Sequence, residues 1–265
     1  PPPLFFLMIR RPPFSTLFPY TTLFRSTEEG KINVLMGLEG LSYIGEDIDQ
    51  INYYYDEFGV RDIMVSWYDE NAPGSGWPGD KNRGLTPKGK EAIKRMNELG
   101  IVLDVSHLND KGFWDIIELS DGHPVIASHS NARALSAHGR NLSDEMIKAL
   151  AATGGVMGMN RLDAFISPDK AKQSVEGLAE HVDYIVNLVG IDHVGCGFDF
   201  EDYLSSDALS KNGAPDENPL GTKGLLSAAD AWNFIETLKK KGYSDEDLEK
   251  IAYKNFYRVY KQVLK

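Results

Sequence analysis

The chain has 265 residues, 42% of them hydrophobic and 25% charged, with a formal net charge of −11 at pH 7. These proportions describe a globular protein able to bury a sizeable core, and the acidic balance argues against nucleic acid or an anionic membrane as partners. Cys196 is the only cysteine, which rules out an intrachain disulfide and leans toward a reducing, cytoplasmic location, and no apolar run is long enough to span a bilayer.

Residues 1–26 differ from everything after them. They hold 6 of the 13 prolines, three arginines (Arg10, Arg11, Arg25) and no acidic residue, leaving 25 basic against 39 acidic residues in the rest. A signal peptide fits poorly, because the apolar stretch Leu4–Ile9 precedes the arginines and no small-x-small cleavage site follows. The run FFLMIRRPPFSTLFPYTTLFRS resembles the conceptual translation of a sequencing adapter. Residues 1–26 therefore read as a non-native segment and 27–265 as one domain.

From residue 27 onward, strand and helix signals alternate, the pattern of βα units and a parallel sheet. Six continuous apolar runs predict strands buried on both faces: Ile32–Leu38, Asp62–Ser66, Ile101–Ser106, Pro124–Ser128, Gly155–Met159 and Val194–Phe198. A hydrogen-bonding residue closely follows each: Glu39, Trp67, His107, His129, Asn160 and Asp199. Between them, Thr86-Pro87 opens a helix that stops at Gly100, and Ser143-Asp144-Glu145 opens one that stops at Gly154-Gly155. Val175, Leu178, Val182, Ile185, Val186 and Val189 form a 3.6-period stripe ending at Gly190, and Ser244 caps a last helix with Leu248, Ile251, Phe256 and Val259 on its apolar face. Two long loops after strand ends, Asn71–Arg83 and Glu201–Lys223, are placed to wall a pocket.

Two strands end in Ser-His. In parallel α/β barrels the reactive groups sit at the C-terminal strand ends, and neutral imidazole is the commonest metal ligand. His107, His129 and Glu39 thus supply a His₂Glu set of the kind that binds catalytic zinc, with a water whose pKa the ion lowers. Asp199 is a strand-end carboxylate able to carry a proton. Arg140, on the loop after the His129 strand, suits bidentate binding of a substrate carboxylate. His123, His138, His181 and His193 read as structural, Cys196 as an inert small apolar residue, and the Tyr53–Tyr55 and Tyr253, Tyr257, Tyr260 sets as helix packing.

Leu38-Glu39-Gly40, Leu103–His107, Ser128–Arg133 through Arg140-Asn141, and Gly197–Phe200 together resemble the membrane dipeptidase (renal dipeptidase) family of zinc metallopeptidases, across essentially all of 27–265. The resemblance implies a distorted (β/α)8 TIM-type barrel with two zinc ions that hydrolyses dipeptides. It implies that Glu39 bridges the metals, that His107 and His129 complete the second metal site, that Arg140 holds the substrate carboxylate, and that Asp199 binds the substrate amine and relays protons.

Two departures qualify this. The family's first strand carries a His-x-Asp pair for the first metal, and no histidine precedes His107 here. Trp67 stands where some members have a substrate-polarising histidine. The expectations are a barrel lacking its first two strands, at most one weakly bound metal, little turnover, exposed sheet edges prone to aggregation, and an open possibility of a homodimer. The competing reading is a non-catalytic, barrel-derived binding protein that has lost one metal site.

Overall fold

In a computed structural model, residues 34–45, 47–200 and 222–265 are described; residues 1–26 lie outside them, as does most of the Glu201–Lys223 loop. Six parallel strands form one sheet in chain order: β1 (Met36–Glu39), β2 (Val60–Met64), β3 (Val102–Asp104), β4 (Val125–Ser130), β5 (Val156–Met159) and β6 (Val194–Cys196). Each strand pairs with the next. Among the described residues β1 and β6 are the sheet's two outer strands, so the sheet is open there. Helices α1 (Asp49–Phe58), α2 (Pro87–Leu99), α3 (Asp110–Leu119), α4 (Asp144–Ala152) and α6 (Val175–Val189) cross between strands, with a short α5 (Asp163–Ile166) before α6. Parallel strands need such crossovers, and these set every strand's C-terminal end at one rim.

The helix boundaries follow from local chemistry. Thr86 caps α2 by accepting the Gly89 N–H at 3.1 Å, and Gly100 ends it in a left-handed conformation (φ 74°) open to glycine at little cost. Asn109, Ser143 and Ser174 cap α3, α4 and α6 in the same way. The inward faces of these helices, with Ile93, Met96, Phe113, Ile116, Ile147, Leu178 and Ile185 all buried, close the main core against one side of the sheet. Burial of each such side chain stabilises the fold by about 1.5–3 kcal/mol.

The C-terminal segment departs from the expected single helix. It runs as α8 (Asp245–Glu249), a wide π turn over Lys250–Lys254, and α9 (Asn255–Val263), preceded by α7 (Ala231–Lys240). A π turn inserts a residue and rotates the face that follows. Ile251 therefore packs into the main core, whereas Val259, Val263 and Leu264 pack on the opposite side of the sheet against Val102, Ile126 and Val156. Asn255 fixes the join by donating to the carbonyls of Ile191 and Val194 at 2.8 and 2.7 Å.

Strand limits also differ from the apolar runs. β2 stops at Met64 because the Val65 carbonyl turns to accept from Leu41 N–H and Asn71 Nδ2. β3 stops at Asp104, whose carboxylate receives the following Ser106 N–H. β4 continues through His129 to Ser130, so His129 lies inside the strand rather than beyond it.

Candidate metal centre

The ends of three strands on one rim, β1, β3 and β4, bring Glu39, His107 and His129 to one point. Glu39 closes β1, His107 lies just past β3, and His129 lies near the end of β4. Glu39 Oε1 is 2.9 Å from His107 Nε2 and 3.4 Å from His129 Nε2, and the two Nε2 atoms are 2.8 Å apart. Both histidines are buried, and the Glu39 side chain is 45% exposed on the outer strand. Among the described residues this is the one cluster of three or more potential ligand side chains close enough for a metal ion. Ligand atoms ~2.0–2.1 Å from a tetrahedral zinc stand ~3.3 Å apart. The observed 2.8–3.4 Å spread matches that separation to about half an ångström, so the residues fit a divalent ion.

The electrostatics agree. Burial alone would raise the Glu39 carboxyl, but hydrogen bonds from His107 and His129 hold it well below the usual carboxylate range. Burial and the nearby Arg140 guanidinium push His107 well below the ordinary imidazole value, so it is neutral, the form that ligates metal. Burial also disfavours charge on His129, but Asp199 and the Glu39 hydrogen bond outweigh it and raise that imidazole.

The backbone is strained here. His107 (φ 70°) and Asp199 (φ 59°) are two of the three non-glycine residues with positive φ among the described residues. Such conformations cost about 1–3 kcal/mol each and persist where surroundings over-determine them. The His107 carbonyl accepts the Trp77 N–H at 2.7 Å, which ties the Asn71–Arg83 loop to the site.

Arg140 is buried beside the imidazoles. Its Nη2 donates to the His129 carbonyl at 3.2 Å, its guanidinium lies 5.4 Å over the Phe165 ring, and its Nε and Nη1 are buried without a hydrogen-bond partner. Asp199 is exposed at the rim and receives a long contact (3.4 Å) from Asn160 Nδ2. Trp67 lies 6.3 Å from the His107 ring.

The histidines set aside by the sequence are structural. His138 Nδ1 accepts the Arg140 N–H, His181 bridges the Ala132 N–H and the Ile166 carbonyl, and His193 Nδ1 bonds the Gly155 carbonyl. Burial pushes the Cys196 thiol up to about 12, which leaves it unreactive. Sequence reasoning missed Asp104, Ser106 and Ser128 beneath the imidazoles, and Tyr260, which reaches the buried Asp62 at 3.1 Å.

A parallel βα sheet with a Glu-His-His cluster at the C-terminal strand ends has the form of a metal-dependent hydrolase. The chain belongs to the membrane dipeptidase family (peptidase family M19) of metallopeptidases, which it matches over residues 11–265. It is 35% identical over 249 residues to an uncharacterised protein in the pqqA 5′ region of Klebsiella pneumoniae, covering 90% of this chain and 85% of that one. It is 30% identical to the dipeptidase tcpJ of Claviceps purpurea, covering 91% of this chain and spanning only 52% of the fungal protein. Among solved structures, an amidohydrolase from Pseudomonas aeruginosa superposes with a TM-score of 0.82 at 26% identity, covering 92% of this chain and 77% of that one. A metallopeptidase from Rhodobacter sphaeroides, liganded with a phosphinate mimic of L-Ala-D-Ala, gives a TM-score of 0.78 at 28% identity, with 92% and 67% covered. The shared fold is thus the TIM-like α/β fold of these dipeptidases.

Proposed function

We propose that this chain binds zinc through Glu39, His107 and His129 and hydrolyses dipeptides with it. The observation that carries the reading is the convergence of three ligand atoms within 3.4 Å beside a buried arginine with two unpartnered nitrogens. A bound divalent ion would polarise the scissile carbonyl and lower the pKa of a water. Every other part belongs to the chain. Arg140, buried and permanently charged, offers Nε and Nη1 to the substrate's terminal carboxylate. Asp199, at the rim, receives the substrate amine and carries the proton to the leaving nitrogen. Glu39 and the neutral His107 anchor the ion without competing protons.

The test is elemental analysis of the purified chain together with L-Ala-D-Ala hydrolysis. Bound zinc, lost in His129→Ala, and hydrolysis abolished by a chelator are expected. Turnover that survives metal removal overturns the reading.

A further inference from the structure

The two Ser-His steps of the sequence meet in one buried lattice below the metal centre. Asp104, fully buried at the end of β3, accepts the Ser106 N–H at 2.9 Å and the Ser128 N–H at 3.0 Å on the same oxygen, Oδ1. One carboxylate oxygen thus clips together the residues preceding both histidines. Ser106 Oγ accepts the His129 N–H at 3.1 Å, and Ser128 Oγ lies 3.4 Å from Ser106 Oγ and 2.8 Å from His129 Nδ1. The two imidazoles are supported unequally, since His107 Nδ1 is buried with no partner.

The chemistry gives Ser128 a direction. A ligating imidazole must leave its metal-facing nitrogen free of a proton, which moves the proton to the other nitrogen. The Ser128 hydroxyl can donate toward Ser106 Oγ, which leaves its lone pair to accept from His129 Nδ1–H. That arrangement presents the Nε2 lone pair to the point shared with Glu39 and His107 Nε2.

We infer that Ser128, braced by Asp104 and Ser106, is a positioning residue that selects the Nδ1–H tautomer of His129 and so sets the chain's affinity for a divalent ion. This rests on the metal-site reading above. It singles out His129 as the pre-set ligand and His107 as the unsupported one, which the bare ligand set does not distinguish. Partners of this kind typically change metal affinity by 10- to 100-fold.

Zinc dissociation constants by chelator competition, on the full chain, provide the test, read together with ¹⁵N NMR of His129 in the metal-free protein at high pH. Ser128→Ala is expected to weaken zinc 10- to 100-fold and to lose the Nδ1–H signature. Ser128→Thr, which keeps the hydroxyl, is expected to retain both. Equal zinc affinity and an unchanged tautomer in Ser128→Ala overturn this inference while leaving the metal site standing. Failure of the unmutated chain to bind zinc overturns the site itself. If Ser128→Ala does not fold, an Nε2–H tautomer of His129 in the unmutated metal-free chain is sufficient to reject the proposal.

Discussion

Replacing Arg140 by methionine should weaken recognition without lowering stability. Arg140 is 2% exposed, and its guanidinium makes one 3.2 Å hydrogen bond to the His129 carbonyl and has Nε and Nη1 buried without partners. Two charge-assisted hydrogen bonds from those nitrogens to a carboxylate would each contribute about 1.5–3 kcal/mol. Together that is roughly 3–6 kcal/mol, or on the order of 10²–10⁴ in affinity. In the free protein the two buried, unpartnered nitrogens are costly, so replacement by an apolar side chain of similar volume offsets the loss of the His129 carbonyl contact. Calorimetry with a phosphinate mimic of L-Ala-D-Ala and with its C-terminal amide separates the two effects. The unmutated chain should prefer the free carboxylate by at least two orders of magnitude. Arg140→Met should lose that preference, keep its affinity for the amide, and melt no lower than the parent. Equal losses for both ligands, or a melting temperature lowered by several degrees, would refute the assignment of Arg140 to the carboxylate.

Other outcomes follow from the same geometry. Glu39→Gln keeps the shape of the side chain but removes its charge, and should weaken zinc by at least tenfold in a chelator competition; unchanged affinity would exclude Glu39 as a ligand. Asp62 is buried, and burial together with the neighbouring Asp104 charge raises its carboxyl well above 3.8, partly offset by the Tyr260 hydrogen bond. The folded state then holds a proton that the unfolded chain releases near its ordinary value, so stability falls as pH rises from about 3.8 toward the folded value, at up to about 1.4 kcal/mol per pH unit. Asp62→Asn should flatten that fall and gain stability over the parent at pH 7, with the difference shrinking toward pH 4; parallel urea midpoints across that range would contradict it. At Gly158 and Gly197 an added Cβ would lie 2.0 and 1.9 Å from the Ser128 carbonyl oxygen. Alanine at either should cost about 1–3 kcal/mol or more and disturb the β4 end that carries His129, measured as a drop in urea midpoint with a matching loss of zinc affinity.

Legibility in the sequence tracked how local each signal was. Thr86-Pro87 and Gly100 carry their own hydrogen-bonding and φ requirements, and the observed α2 begins and ends with them. The six apolar runs each contain most of an observed strand, and for β2 to β6 the reason is that a strand covered on both faces must be apolar throughout; β1, expected to be buried on both faces, is instead largely exposed as an outer strand among the described residues. Their ends shifted by a few residues where a side chain claimed a backbone carbonyl or N–H, as at Val65 by Asn71 and at Ser106 by Asp104. The π turn at Lys250–Lys254 left no mark in the pattern, since Leu248, Ile251 and Val259 suit a straight helix equally well. The Glu39, His107 and His129 cluster was legible because imidazole and carboxylate at strand ends are chemically distinctive. Asp104 was not, because an aspartate within Leu103-Asp104-Val105 reads as an interruption of a strand until the register brings the Ser128 N–H to it.

That buried aspartate ties stability to the metal centre. Asp104 and Asp62 sit on neighbouring strands, each with one buried oxygen lacking a partner, and the Asp104 charge raises the Asp62 carboxyl. Two carboxylates so close cannot both ionise cheaply. Asp104 receives two backbone N–H groups on Oδ1, whereas Asp62 receives one tyrosine hydroxyl. Asp62→Asn leaves the Asp104 contacts in place and should leave zinc affinity unchanged. Asp104→Asn removes the carboxylate that holds the Ser106 and Ser128 N–H groups together and should lower zinc affinity. It should also reduce the pH-dependence of stability, because the charge that raises Asp62 is gone. An Asp104→Asn variant with the parent's zinc affinity and urea-midpoint pH slope would show the two aspartates to be uncoupled from each other and from the histidines above them.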